Sequence, residues 1–261
     1  MSNLFWTAFA AAQQKIPQKF FWRHTYNFLA KEQPQAFALM NYGYATSEGD
    51  DASGEALPRR LYHYVASAAD LTGKSILEVG AGRGGGLAHV KQSLSPKTAF
   101  GVDLSPQAVA LSRKNFGHMP GLTFLQGDAE RLPFGDESFD AVLNVESSHC
   151  YPSRARFFQE ARRVLVPGGH FLYTDFFDPE TLENIRGWLA QTPFTLLAEE
   201  DITENILLAL RLDEARKLAL IAKTPSWIQP SFHNFAATTQ SDNYKILAKR
   251  ERLYVRFALQ K

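Results

Sequence analysis

The chain has 261 residues, of which 45% are hydrophobic, and its formal net charge at pH 7 is +1. This balance is ordinary for a globular protein, and it provides no strong field to recruit nucleic acid or an anionic membrane. The single cysteine, Cys150, excludes an internal disulfide and a cysteine-based metal cage, and it suits a reducing compartment. No segment reaches the roughly 20 apolar residues of a membrane span, so we expect a cytoplasmic protein without stable membrane insertion.

The first part of the chain is predicted to be a helical segment that covers the main domain. Residues 1–45 look helical and carry many aromatic side chains, including Tyr42 and Tyr44, and a polar loop follows at 46–58. We therefore divide the chain into an N-terminal helical lid segment, 1–58, and a main domain, 59–261, with a helical insertion near 200–240. That apolar insertion is a second candidate lid, although helically spaced apolar residues more often form plain core.

From residue 59 onward the pattern alternates between strands and helices, which predicts a parallel sheet with right-handed crossovers. Strands are predicted near 75–79, 98–102, 122–125, 139–145, 169–174, 194–199 and 251–259. Helices are predicted near 59–70, 84–93, 106–115, 153–164, 179–190 and 203–222. The alternation over 254–259 favours an antiparallel edge strand. The expected fold is α/β and Rossmann-like, with a seven-stranded, mostly parallel sheet and an antiparallel edge strand.

The most informative segment is residues 75–86 (SILEVGAGRGGG), followed by 101–103 (GVD). The apolar run predicts a buried strand, and the glycines after it allow a sharp turn and a close approach of the backbone to a ligand. Asp103, roughly 20 residues further on, lies where a sheet of this class offers a carboxylate to ribose hydroxyls. These features predict a pocket for a nucleoside cofactor.

The same glycines satisfy G-x-G-x-x-G, so a dinucleotide is the competing interpretation. Glu78 favours a different cofactor, because an acid beside the turn opposes the anionic phosphates that such a turn and its helix bind. S-adenosyl-L-methionine carries no phosphate, and its sulfonium and ammonium groups favour a nearby carboxylate. We therefore expect S-adenosylmethionine rather than a dinucleotide.

Six segments, including two of those described above, occur in an order that resembles the class I S-adenosylmethionine-dependent methyltransferases over about 70–260. The segments are 78–82 (EVGAG), 101–103 (GVD), 127–129 (GDA), 132–134 (LPF), 138–140 (SFD) and 163–169 (RVLVPGG). Residues 144–152 (NVESSHCYP) are similar to the phthiotriolone/phenolphthiotriolone dimycocerosate methyltransferases, which O-methylate a hydroxyl of a long, lipid-like polyketide. The similarity extends to 41–44 (NYGY) and to the C-terminal strand.

The resemblance implies a role for each cofactor-binding position. Glu78, Gly80 and Gly82 would surround the methionine part. Independently of the resemblance, we expect the aromatic N-terminal segment, with Tyr42 and Tyr44, to fold over the cofactor and form a wall of the acceptor pocket. Asp103 would bind the ribose hydroxyls and Leu104 would pack on the adenine. Asp128 would accept from the adenine amino group with Ala129 beside it, and the backbone of Asn144 would lie near the ammonium. A purely structural role remains open for Glu78, as does a turn or cap role for Asp103 and Asp128.

Oxygen methylation also needs a base to take the acceptor proton, and histidine is the usual one. His149 follows the fourth predicted strand and Asp175 the fifth, so both are expected at the cofactor edge. We predict His149 as the general base with Asp175 orienting it, the alternative being that His149 only caps the next helix. Cys150 is expected to line the pocket rather than act as a nucleophile. Asp175 and Asp178 lack an evident third ligand, so no metal is predicted.

The sequence thus predicts an O-methyltransferase of a hydrophobic small molecule, most simply a polyketide or lipid-like natural product. C- or N-methylation is the main alternative, because such enzymes share the cofactor half. A non-methylating cofactor-binding protein or cyclase on the same fold is the alternative from another class. Nucleic acid is not expected as a partner, since the basic pairs at 162–163 and 249–250 are predicted to lie on ordinary solvent-exposed surfaces. A monomer and a homodimer both remain open.

Overall fold

Seven strands form one sheet in the order β3-β2-β1-β4-β5-β7-β6 in the computed structural model, which describes residues 39–226 and 229–261. The strands are β1 Ser75–Val79, β2 Thr98–Asp103, β3 Leu122–Gln126, β4 Phe139–Val145, β5 Leu165–Phe177, β6 Thr195–Asp201 and β7 Leu253–Gln260. The predicted helices within 1–38 and two residues of the predicted second lid, Trp227 and Ile228, lie outside the described residues.

Helices pack on both faces of the sheet. They are α1 Ala56–Ala66, α2 Gly85–Ser93, α3 Pro106–Phe116, α4 Arg154–Val164, α5 Pro179–Gln191, α6 Thr203–Leu212, α7 Glu214–Ile221, α8 Gln229–Phe235 and α9 Asp242–Ala248. Successive side chains of a strand point to opposite faces, so Ile76 and Leu77 of β1 belong to two separate clusters of the core. Both side chains are fully buried, as expected for a strand covered on both faces.

The α/β, Rossmann-like fold is confirmed, and the sheet is parallel except at β7. That strand pairs antiparallel with both β5 and β6, so it lies one position inside the sheet and β6 forms the outer edge. The antiparallel direction predicted for 254–259 is confirmed. The central residues of β7 are buried on both faces of the sheet, as its position one strand inside the edge requires.

Two predicted helices differ in extent from the observed ones. The helix predicted over 59–70 is α1, Ala56–Ala66, so residue 58, where we divide the chain, lies within a helix. The single helix predicted over 203–222 is interrupted at Asp213, which ends α6 and begins α7. The Asp213 carboxylate is buried and binds Arg216 with both oxygens, which stabilises the break.

Residues 39–45 have no helical structure and lie between α1, α6 and the carboxyl ends of the strands. Asn41 donates from Nδ2 to the carbonyl of Pro58, and Tyr44 N–H donates to the carbonyl of Leu57. Tyr42 N–H donates a 2.8 Å hydrogen bond to the carboxylate of Glu146, which follows β4. These bonds fix the segment, hereafter the strap (residues 39–45), over the edge where ligands bind in such sheets.

Across the described ranges, with their gap at 227–228, no helix is both long and apolar enough to cross a bilayer.

Candidate active site

The turn after β1 approaches β2 and β4 so closely that only glycine fits at its first position. Gly80 and Ala81 donate their N–H groups to the carbonyl of Val102, at 2.8 and 3.0 Å. Gly80 has a φ of +78°, and a Cβ there would lie 2.3 Å from Ser147 Oγ. The backbone therefore turns within van der Waals contact of the residues that follow β4, before α2 begins at Gly85.

A cavity opens at this turn, along the carboxyl ends of β1, β2 and β4. Six of the predicted cofactor-binding residues line it: Gly80, Gly82, Asp103, Leu104, Asp128 and Ala129. The charged side chains among the described lining residues are four acids, Asp103, Asp128, Glu130 and Glu146, and one base, Arg83. An excess of carboxylates favours a cationic ligand and opposes a pyrophosphate.

Asp103 links the glycine turn to the end of β2. Its Oδ2 accepts from Gly82 N–H and its Oδ1 accepts from Ser105 N–H, each at 2.8 Å. Each carboxylate oxygen has further acceptor capacity, so these bonds leave Asp103 able to accept from ribose hydroxyls at the cavity wall. The predicted binding of ribose and the alternative role in a turn are therefore compatible, because Asp103 both holds the glycine turn and faces the cavity.

Glu78 lies behind the wall rather than in it. Its Oε1 accepts a 2.7 Å hydrogen bond from Tyr62, which does line the cavity, whereas its Oε2 is buried without a hydrogen-bond partner among the described residues. Burial raises the pKa of this carboxyl to about 8, with the charge of Asp103 adding to the effect and the bond from Tyr62 opposing it. A cation brought to this side of the cavity would favour the ionised carboxylate, as expected for a methionine ammonium or sulfonium.

Two other predicted residues, Asn144 and Tyr42, are not among the described residues that line this cavity. The side chain of Asn144 is fully buried and donates to the carbonyl of Val79 and to the hydroxyls of Ser147 and Tyr151. It therefore fixes the wall made by the segment after β4. Tyr42 lies in the strap, where its ring stacks on Phe176, and it borders a neighbouring cavity instead.

Glu146, which sequence reasoning did not single out, is the acid at the centre of this wall. It has a φ of +46°, a conformation that costs energy for a residue with a side chain, and its Oε1 accepts from Tyr42 N–H and Tyr254 OH. Burial raises its pKa to about 7, whereas the bonds from Tyr254 and Tyr42 oppose the shift. The only hint in the sequence was its place within 144–152, because its strap partner is 104 positions away.

The predicted base and its orienting acid are in contact. A short 3₁₀ turn, Ser148–Cys150, carries His149 past β4, and Asp175 lies near the end of β5. His149 Nδ1 lies 2.9 Å from Asp175 Oδ1, and His149 N–H and Ser148 Oγ both donate to Asp175 Oδ2. Asp175 is fully buried, whereas 21% of the His149 side chain is exposed. His149 does not cap α4; Ser153 does, through Arg156 N–H.

The contact between His149 and Asp175 shifts the pKa values of both side chains. Burial disfavours the imidazolium, but neighbouring Cys150 and the Asp175 carboxylate outweigh it and hold the pKa of His149 well above its usual value. The pKa of Asp175 stays below its usual value, because His149 and the Ser148 hydroxyl outweigh the cost of burial. An aspartate so placed orients the imidazole and stabilises its cation.

The chemistry around this pair gives no support to a metal. Asp178, which the sequence had suggested as a second oxygen ligand beside Asp175, accepts from Thr181 N–H and so caps α5. Within the two described ranges, no group of three His, Cys, Asp or Glu side chains is placed to hold an ion. Cys150 lines the cavity next to His149.

Substituting Gly86, at the start of α2, tests the packing behind the cavity. A Cβ at Gly86 would lie 1.9 Å from Tyr62 Cζ, so Gly86→Ala must displace the ring that binds Glu78. We expect a loss of about 1–3 kcal/mol in the free energy of unfolding, as for overpacked cores, and weaker binding of S-adenosylhomocysteine. Thermal melts and calorimetry measure the two effects.

The matched control is Gly187→Ala in α5, where nothing lies within 4 Å of the added methyl group. This variant should be about 0.5–1 kcal/mol more stable than the wild type, because alanine restricts the unfolded chain and favours helix. Equal stability of the Gly86→Ala variant and the wild type would contradict the tight contact with Tyr62.

Comparisons with known proteins agree with this geometry. Residues 77–173 match a methyltransferase domain family. The phthiotriol/phenolphthiotriol dimycocerosates methyltransferase of Mycobacterium tuberculosis (strain ATCC 25618 / H37Rv) is 37% identical over 222 residues, or 82% of this chain and 80% of that protein. A fatty-acid O-methyltransferase of Mycolicibacterium smegmatis is 40% identical over 177 residues, or 65% of this chain and 64% of that protein.

Among solved structures, the [4+2]-cyclase SpnF superposes with a TM-score of 0.76 at 20% identity, covering 94% of this chain and 97% of that one. At this identity the likeness establishes the fold alone. The acid-rich cavity and the buried, unbonded Glu78 Oε2 fit a cationic, phosphate-free cofactor. The chain therefore belongs to the S-adenosylmethionine-dependent methyltransferases, of the phthiotriol/phenolphthiotriol dimycocerosates methyltransferase type.

Proposed function

We propose that this enzyme O-methylates a hydroxyl group of a hydrophobic, lipid-like small molecule, with His149 as the general base and Asp175 as the residue that orients it. The observation that carries the proposal is the 2.9 Å contact between His149 Nδ1 and Asp175 Oδ1. A free hydroxyl holds its proton at neutral pH, so its methylation benefits from such a base. A neutral amine attacks through a free lone pair and needs such a base less, whereas an enolisable carbon needs one too and is distinguished from oxygen by the labelling experiment below.

The proposed reaction is an in-line displacement. S-adenosylmethionine supplies a methyl group that is already activated by its positive sulfur. The acceptor oxygen forms a bond to that methyl group as the sulfur–methyl bond breaks, and the acceptor proton passes to His149. Asp175 holds Nδ1 of the ring, so that the other nitrogen is the one that accepts, and its negative charge stabilises the imidazolium that forms.

The segment that bears His149 belongs to the cavity wall. Ser147, Cys150 and Tyr151 line the cavity on either side of it, and the ring of His149 packs on Phe176 with centroids 4.7 Å apart. Phe176 in turn stacks on Tyr42 of the strap. An acceptor seated near His149 would therefore meet aromatic side chains, which suits an apolar molecule.

The relatives support a lipid-like acceptor. One acts, by its name, on phthiotriol or phenolphthiotriol dimycocerosates and another on fatty acids. Both names describe long apolar acceptors, and the first also describes hydroxyl groups. We extend this acceptor class to the present enzyme as part of the proposal, in the cytoplasm and without nucleic acid as a partner.

The direct test is to incubate the enzyme with methyl-¹³C-labelled cofactor and a panel of long-chain diols, amines and enolisable ketones. We expect label in a methyl ether, identified by the carbon shift of the product, and none at nitrogen or carbon. Label at nitrogen or carbon would overturn the oxygen assignment. Tight cofactor binding with no transfer to any acceptor would favour a non-methylating role on this fold.

A further inference from the structure

A second cavity adjoins the first beneath the strap. Leu39, Met40 and Asn41 border both cavities, as does Arg83 of the glycine turn. Met40 lies against that turn, since its Cε would be 3.4 Å from a Cβ on Gly82. The two cavities are therefore neighbours that share strap residues and Arg83 in their walls.

Most of the second cavity is apolar, but one wall carries a buried cation. The far side is formed by α7, α8 and the residue after α8; its apolar members are Ile221, Phe232, Phe235 and Ala236, and Arg216 of α7 lines it as well. Lys217 of α7 also lines it, although only 4% of its side chain is exposed, and its Nζ has no hydrogen-bond partner in the part of the chain that the structure describes. A lysine in such a place is unusual, because a buried charge is expensive unless it is paired.

The acid nearest to Lys217 is already engaged. Asp213 Oδ2 lies 3.9 Å from Lys217 Nζ, beyond hydrogen-bond distance, while Arg216 Nε and Nη2 bind the two oxygens of Asp213 at 2.6 Å. The face of the Tyr42 ring lies 5.9 Å from Nζ on the strap side. Burial lowers the pKa of Lys217 to about 8 and Arg216 adds to the shift, whereas the charges of Asp213, Glu146 and Glu214 oppose it. Among the described residues, none of these acids accepts a hydrogen bond from the ammonium group.

We infer that the second cavity binds a carboxylate at one end of a long-chain acceptor, with Lys217 as its counter-ion. The inference rests on the proposed function, because it concerns the acceptor of that reaction. The carboxylate would supply the hydrogen-bond acceptor that Lys217 lacks, and Arg83 at the boundary of the cavities adds positive charge. The aliphatic chain would lie along Ile221 and Phe232 and bring a hydroxyl, further along the molecule, past Met40 to the methyl donor.

A fatty acyl carboxylate complements the second cavity better than a neutral alcohol or a small inorganic anion does. A neutral alcohol would give the ammonium a hydrogen bond but no compensating charge, and charge-assisted bonds are roughly twice as strong as neutral ones. A small inorganic anion would pair with Lys217 but leave the apolar walls in contact with water. A fatty acyl carboxylate matches both the charge and the apolar surface.

Calorimetry with laurate and 1-dodecanol, which share a twelve-carbon chain, tests the inference on the full-length enzyme saturated with S-adenosylhomocysteine. We expect laurate to bind the wild type at least about tenfold more tightly than dodecanol, and Lys217→Met to abolish this preference. Lys217→Arg, which keeps the charge, should retain most of it. The control is Lys223→Met, an exposed lysine just after α7 whose loss should leave the preference unchanged.

Equal binding of the two ligands to the wild type would overturn the inference, as would a preference that persists in Lys217→Met. If Lys217→Met does not fold, Lys217→Gln replaces it, and the comparison of laurate with dodecanol on the wild type still tests the preference for a carboxylate. The readout is binding, so it is independent of turnover. A laurate preference without methylation of any hydroxyl would contradict the proposed function alone, whereas hydroxyl methylation without the preference would contradict this inference alone.

Discussion

Replacing His149 with glutamine should lower kcat by roughly 10²–10⁴-fold, the usual contribution of a general base, while leaving the affinity for S-adenosylhomocysteine nearly unchanged. Glutamine fills a similar volume and can still bond Asp175, but it cannot accept a proton. His149 is not among the described residues that line the cofactor cavity, so its loss should not disturb the cofactor. Single-turnover rates and calorimetry on the same variant separate the two effects.

The pH profile distinguishes a base from a structural residue. A base must be neutral to act, and the pKa of His149 lies well above the usual 6.5, so kcat/KM should rise with pH through that elevated value. The rise should vanish in His149→Gln. It should persist in Glu146→Gln, whose carboxyl has a pKa of about 7 and is the competing candidate. Loss of the rise in Glu146→Gln, with its retention in His149→Gln, would assign the proton transfer to Glu146.

Replacing Asp103 with asparagine should weaken the binding of S-adenosylmethionine and S-adenosylhomocysteine by about 100-fold. Its two carboxylate oxygens accept from Gly82 and Ser105, and an amide nitrogen in place of either oxygen would face a donor with another donor. The turn would shift, and the charge offered to the ribose hydroxyls would be lost. Removing charged hydrogen bonds of this kind costs about 1.5–3 kcal/mol, or roughly 10–150-fold in affinity.

The control for this substitution is Asp136→Asn. That carboxylate is 75% exposed and pairs with Arg163 away from the cavity, so cofactor affinity should not change. Thermal melts of both variants identify any general loss of folding. Unchanged cofactor binding in a folded Asp103→Asn variant would remove this residue from the site, as would an equal loss in the control.

The sequence alone was sufficient to predict the elements that are determined by a local pattern of residues. The apolar run of β1 and the glycines after it define a strand and a turn without reference to the rest of the chain. The carboxyl edge of a parallel sheet then brings the ends of β4 and β5 together, which is why His149 and Asp175 could be paired from sequence. The same edge brings Asp103, at the end of β2, to the glycine turn that follows β1.

The remaining features depend on contacts between distant parts of the chain. Tyr62 is important only because it reaches Glu78, and Glu146 because the strap donates to it. Lys217 lies within the segment predicted as one helix over 203–222, and nothing in that local pattern indicates that α7 borders a cavity. The position of β7 one strand inside the edge depends on such contacts as well. Alternation describes the side chains of one strand, whereas the neighbours of that strand are set by the whole sheet.

The inner position of β7 has a consequence for how the protein is made. The ribosome produces β5 and β6 well before β7, with α6 to α9 in between, yet β7 is the strand that joins them. A nascent chain that has emerged only as far as α9 therefore carries an open edge on β5 and an unattached β6, both of which invite pairing with other chains. Loss of the residues from Leu253 onward would yield an aggregation-prone polypeptide rather than a shortened enzyme.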